Sequence, residues 1–128
     1  MHHIEADKIE KAFGAIEAHR LANNGIVTSE MIGYVASFGA AVIQSGLVAA
    51  VIFFSEESKD GDAKDRPKLI KALHFMMSIP TATTLVDHLR ANLTGLDAIE
   101  EQLLDDAVAL KTALRTFKKA DKTKQTQS

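Results

Sequence analysis

Apolar side chains recur at helical spacing along most of this chain, and no segment shows the strict alternation of a half-buried strand. Ile9, Phe13 and Ile16 stand among Glu, Lys and Asp, which predicts an amphipathic first helix ending near Asn23-Asn24-Gly25. Thr28 or Ser29 can cap the next helix, with Glu30 placed favourably in its first turn. From Met31 to Ser55 there is no charged side chain at all. The next segment, Ser58-Lys59-Asp60-Gly61-Asp62-Ala63-Lys64-Asp65, is almost wholly polar and reads as an exposed loop. Pro67 suits a helix start, and Leu69, Ile70, Leu73, Met76 and Met77 give that helix an apolar stripe before Pro80 interrupts it. Thr81 or Thr83 begins another helix, carrying Leu85, Val86 and Leu89 as far as Asn92-Leu93-Thr94-Gly95. Asp97 followed by Glu100 resembles a capping box at the head of a long last helix. The pattern predicts an all-α protein, one compact bundle of about six helices.

The charge-free run decides between a membrane span and a buried centre. A spanning helix needs about 20 predominantly apolar residues, so length alone admits one. Gln44-Ser45-Gly46 interrupts the run, however, and its flanks are Glu30 and Glu56-Glu57, without the Lys/Arg bias that orients a span. Read as two helices over 28–44 and 47–57 that meet at Gly46, the run becomes a helical hairpin or sharp kink inside the core. Gly33, Ala36, Gly39, Ala40, Ala49 and Ala50 would let neighbouring helices approach, while Tyr34, Phe38, Val42, Ile43, Val51, Phe53 and Phe54 supply the volume between them.

Composition narrows the chemistry. The 128 residues, 46% of them apolar, suffice for one domain with one core, expected over 1–120 with a flexible basic and polar tail over 121–128. There is no cysteine, which excludes disulfides and every thiolate-based metal site or nucleophile. Met-His-His-Ile-Glu-Ala-Asp lacks the basic region and apolar stretch of a secretory signal, which points to the cytoplasm. His2, His3, His19, His74 and His88 are scattered without the spacing that sets two ligands on one helical face, and His74 reads as a packed or hydrogen-bonded side chain. Asp60, Asp62 and Asp65 lack the glycine position and bidentate Glu of a calcium loop. Asp105 and Asp106 are adjacent and should diverge around their helix. Neither a phosphate-binding glycine loop nor a nucleophile motif occurs. The expectation is a non-enzymatic protein with no cofactor and no metal.

The formal net charge of −2 does not by itself recommend nucleic acid, so local distribution carries that argument. On the last helix Leu103, Ala107, Leu110, Leu114 and Phe117 form one apolar seam, with Lys111, Arg115, Lys118 and Lys122 about a quarter-turn away. The first half of this helix is acidic and the second basic, which complements the helix dipole and is equally what a solvated face would show. Four aligned cations can also follow a phosphate backbone. Lys68 and Lys71, at the start of the fourth helix, are a weaker second group.

Tyr34, the small-residue segment Ala36-Ser-Phe-Gly-Ala-Ala, Val42-Ile43-Gln44-Ser45-Gly46-Leu47 and Ala49-Ala50-Val51-Ile52-Phe53-Phe54-Ser55 together resemble the small helical subunit of type III-B CRISPR effector complexes, the Cmr RNA-silencing module. In that family a Tyr precedes a helix ending in an Ile-x-x-Gly-Leu step, followed by an Ala-rich helix with a late aromatic and a variable polar loop. The final segment Leu110-Lys-Thr-Ala-Leu-Arg-Thr-Phe-Lys-Lys-Ala120 is similar to the family's last helix, and roughly a third of the chain carries the likeness. The resemblance implies a non-catalytic subunit that stacks on copies of itself along the inner filament of a guide-RNA complex. It would lie beside larger backbone subunits and help hold target RNA opposite the guide. Two other readings stand beside it: a helical adaptor bundle without RNA binding, and a small membrane-associated protein using Met31 to Ser55.

Overall fold

The computed structural model describes residues 6–56 and 65–120. Six α-helices account for most of them: α1 (Ala6–His19), α2 (Ser29–Ser45), α3 (Leu47–Ser55), α4 (Arg66–Met76), α5 (Leu85–Ala91) and α6 (Leu96–Leu114), with a 3-10 turn at Leu93–Gly95 leading into α6. Two short strands, β1 (Ile26–Val27) and β2 (Lys118–Lys119), pair in parallel. The fold is all-α with one core.

Local chemistry sets the boundaries. α1 stops at His19, earlier than its pattern suggests, because Arg20 turns left-handed at φ 55° and the Leu21 N–H donates to Ile16 O at 3.0 Å. Asn24 and Gly25 follow at φ 54° and 76° in a tight turn closed by two hydrogen bonds between Asn23 and Ile26. Thr28 caps α2 as expected, its hydroxyl accepting from Met31 N–H at 3.1 Å. Gly46 both ends α2 and precedes α3. Its φ of 89° and ψ of 160° are open essentially to glycine alone, and its N–H closes α2 on Val42 O at 2.9 Å.

Three expectations are corrected. The head of α6 is not a capping box: the helix begins at Leu96 behind Gly95, which supplies no side-chain cap. The helix before it is capped by Thr84, whose hydroxyl accepts from Asp87 N–H at 3.1 Å. α6 ends at Leu114, so Phe117 lies beyond it and reaches the core by folding back onto Phe13, with ring centroids 6.1 Å apart. The end of the described chain is tied back to β1, where Lys118 N–H donates to Gly25 O and Ala120 N–H to Val27 O. Two-residue strands of this kind depend on tertiary pairing and leave no periodic trace. The expected tail over 121–128, the larger part of the polar loop and the N-terminal pair of histidines lie outside the described residues.

Packing fixes the direction of each helix. Lys8 meets Asp106 and Phe13 meets Phe117, so α1 and α6 run parallel. Lys11 meets Ser78, while Gly14 and His19 meet Phe75, so α1 and α4 run antiparallel. α2 starts beside the strand pair and ends near the head of α6, where Gly46 and Leu47 share a shallow depression with Leu96, Asp97 and Glu100. α3 then returns, and the guanidinium of Arg66 sits 4.2 Å over Phe53. Inside, Phe38 and Phe54 meet edge-on at 5.5 Å, and Leu69, Leu73, Leu103, Leu110 and Leu114 are fully buried.

The charge-free run is only half interior. Met31, Val35, Phe38 and Val42 face the core, as do Leu47, Val51 and Phe54. Ile43 is instead 81% exposed and Phe53 50% exposed, so neither fills the space between helices. Gly33, Ala36 and Ala40 are exposed on the same side of α2 as Ile43, and Ala49 and Ile52 are exposed on α3. These helices therefore show solvent a small-residue, uncharged face.

Candidate nucleic-acid interface

The helix directions gather cations at one end of the bundle. The C-terminal ends of α1 and α6 and the N-terminal end of α4 all lie there, bringing together His19, Arg20, Lys68, Lys71, Arg115 and Lys118. Lys111, in the last turn of α6, is half-buried, while Arg115 at the helix end is exposed. Lys118 is exposed on β2. It does not continue the helical stripe, because the helix has already ended, and it joins the basic end through the strand pairing. Lys122 lies outside the described residues.

The two sequence-derived groups thus share an end of the molecule without forming one continuous row. Lys68 is partly neutralised by Asp65 at 3.1 Å. Lys71 is exposed and faces His19 across the α1–α4 seam. Glu17, Glu30, Glu56 and Asp65 are also at this end, so its positive character is local to particular side chains. The acidic residues Asp97, Glu100 and Glu101 lie at the opposite end, at the head of α6.

Two histidines far apart in sequence come together beside Lys71. His74 Nε2 lies 2.6 Å from Thr83 O, the satisfied role expected for it. His19 is half-buried, and burial first, then Lys71 and His74, push its pKa below the usual 6.5. Sequence spacing could not reveal this pair, since it is made by two antiparallel helices.

Asp105 and Asp106 diverge around α6 as expected, and Asp106 is the one that turns inward. It is 1% exposed, with Oδ1 3.0 Å from Lys8 Nζ and Oδ2 lacking any hydrogen-bond partner. Burial raises its pKa above the ordinary carboxylate value, against the opposing pull of Lys8. The signal was present: position 106 follows Leu103 by three and precedes Leu110 by four, on the buried face of the helix.

Among the described residues no group of three or more His, Cys, Asp or Glu could hold a metal ion, and no helix is long and apolar enough to cross a membrane. No protein-family model matches the chain, and no curated protein or solved structure is significantly similar to it.

Proposed function

We propose that the chain is a non-catalytic small subunit of a type III-B CRISPR guide-RNA effector complex in the cytoplasm, part of an antiviral defence system. It stacks with neighbouring copies along the inner filament, beside larger backbone subunits, and helps hold target RNA opposite the guide. The observation that carries this reading is the convergence of Arg115 and Lys118 with Arg20 and Lys71 at one end of an otherwise mildly acidic bundle. Cations on separate elements at one end can follow a phosphate backbone without base-specific contacts. The exposed uncharged face of α2 and α3 supports stacking, since interface centres are depleted of charge.

Weak contacts suffice in such an assembly, because a row of copies converts each single-site affinity into avidity. The test is charge reversal: the triple variant Lys111→Glu, Arg115→Glu and Lys118→Glu should lose target-RNA retention by the assembled complex while its thermal unfolding stays close to that of the parent. The loss should be largest at low salt and narrow as salt is raised, since the variant makes fewer phosphate contacts and so releases fewer counterions. Retention equal to that of the parent overturns the RNA role. The exposed face of α2 and α3 would fit equally a helical adaptor without RNA, which predicts partner binding indifferent to nuclease.

A further inference from the structure

A concavity of about 880 Å³ opens between α1, α4, the 77–84 connection and α5. Its volume falls within the range of small-ligand sites, roughly 300–1,000 Å³. Ile70, Phe75, Ile79, Leu85 and Val86 give it an apolar lining. Around that lining stand Lys11, His19, Lys71 and His74, and among the described residues no acidic side chain lines it.

Two of these four groups are already engaged. Lys11 Nζ donates to Ser78 Oγ, and His74 is held by the Thr83 carbonyl. The first contact secures a residue in an unfavourable backbone state, because Ser78 sits left-handed at φ 58°. Strained non-glycine residues cluster at binding sites, where surrounding contacts hold them in place. Lys71 and His19 remain, and no ion pair among the described residues neutralises either. Burial first, then Lys71 and His74, favour the neutral form of His19, so Lys71 supplies the positive charge at this edge and His19 offers a ring N–H beside it.

We propose that this groove binds a small amphipathic anion, an acyl carboxylate of medium chain length, with its apolar body on Ile70, Ile79, Leu85 and Val86 and its head group between Lys71 and His19. An apolar lining rewards a hydrocarbon body in proportion to the area covered. The Lys71 ammonium at one edge selects the sign of the head, and the His19 ring N–H beside it helps fix its orientation. The opposite charge is disfavoured for the same reason. This inference does not rest on the RNA reading, with which it shares only Lys71.

The experiment is calorimetric titration of the full chain with decanoate below its micellar concentration, beside decanol, decyltrimethylammonium, acetate and adenosine monophosphate. Decanoate should bind at one site, at least tenfold more tightly than the neutral or cationic analogue of equal length, and acetate should not bind measurably. Lys71→Met, at an exposed position that keeps the aliphatic stem, should weaken decanoate about tenfold, as loss of a charge-assisted contact does. Lys71→Arg should restore most of it. Methyl NMR should place the perturbation at Ile70 and Val86. Equal affinity for decanoate and the cationic analogue overturns the proposal, as does a response confined to Ile43 and Ile52 on the exposed face of α2 and α3. Tighter binding of adenosine monophosphate than of decanoate also overturns it, in favour of a nucleotide.

Discussion

Replacing Lys8 with Met tests how the interior carries Asp106. The carboxylate is 1% exposed, its Oδ1 lies 3.0 Å from Lys8 Nζ, and Oδ2 has no partner. Lys8 itself keeps about a third of its side-chain surface in water, at 31%. Removing one member of a fully buried pair costs about 3–5 kcal/mol, because the other charge is left uncompensated. Solvent screening of Lys8 reduces that figure here, and protonation of Asp106 limits it further. The expected cost of Lys8→Met at pH 7 is therefore about 2 kcal/mol, within the range for an unsatisfied buried group. For a domain of this size that lowers Tm by roughly 6–10 °C.

Asp106→Asn should behave differently. It keeps the shape, removes the buried charge and leaves Lys8 free to turn to water, so stability should change by no more than about 1 kcal/mol. The pH dependence follows from the direction of the shift. Burial raises the folded-state pKa of Asp106 above 3.8, so as pH rises the unfolded chain releases this proton first. The penalty of the charged carboxylate grows from about that pH up to the folded pKa and is constant above it. The deficit of Lys8→Met should accordingly shrink as pH falls from 7 toward 4, while Asp106→Asn shows no such recovery. Urea unfolding of both single variants and the double variant measures this directly. A Lys8→Met variant as stable as the parent, together with an Asp106→Asn variant more than 3 kcal/mol weaker, on the scale of a broken buried pair, would refute the reasoning. That outcome would show that the carboxylate stabilises the fold through contacts other than Lys8.

Three further outcomes are expected. Gly46→Ala should cost about 1–3 kcal/mol in urea unfolding, from backbone strain alone, since φ is 89° and nothing stands within 4 Å of the added carbon. Thr28→Ala should cost about 1 kcal/mol by loss of the acceptor for Met31 N–H, with Thr28→Ser close to the parent. Ile43→Asp, at an 81% exposed position, should leave stability within about 0.5 kcal/mol yet weaken association with neighbouring copies, read by sedimentation of the assembled complex.

Features set by neighbours in sequence were legible before the structure. The break at Gly46, the Thr28 cap and the apolar stripe of α4 each depend on a few adjacent residues, and each is where its pattern places it. Features made by distant segments were not. Absence of charge cannot separate a buried helix face from an uncharged exposed one, which is why Ile43 and Phe53 were assigned to the interior. The expected row of cations assumed that the helix continued past Leu114. In the structure the chain turns there, Phe117 packs on Phe13, and Lys118 is carried onto a strand. The basic end itself comes from opposed helix directions, which bring Lys71 and His19 to the same end as Arg115. No single stretch of sequence contains that information.

The most direct measurement of the central claim is purification of the tagged chain from its native host in mild salt, followed by sequencing of any small RNA that accompanies it. The expected result is repeat-derived guide RNA together with larger partner proteins, with target RNA no longer retained when Lys111, Arg115 and Lys118 are reversed to Glu. Recovery of protein partners without RNA, unchanged by nuclease, would contradict the account and identify the bundle as a helical adaptor.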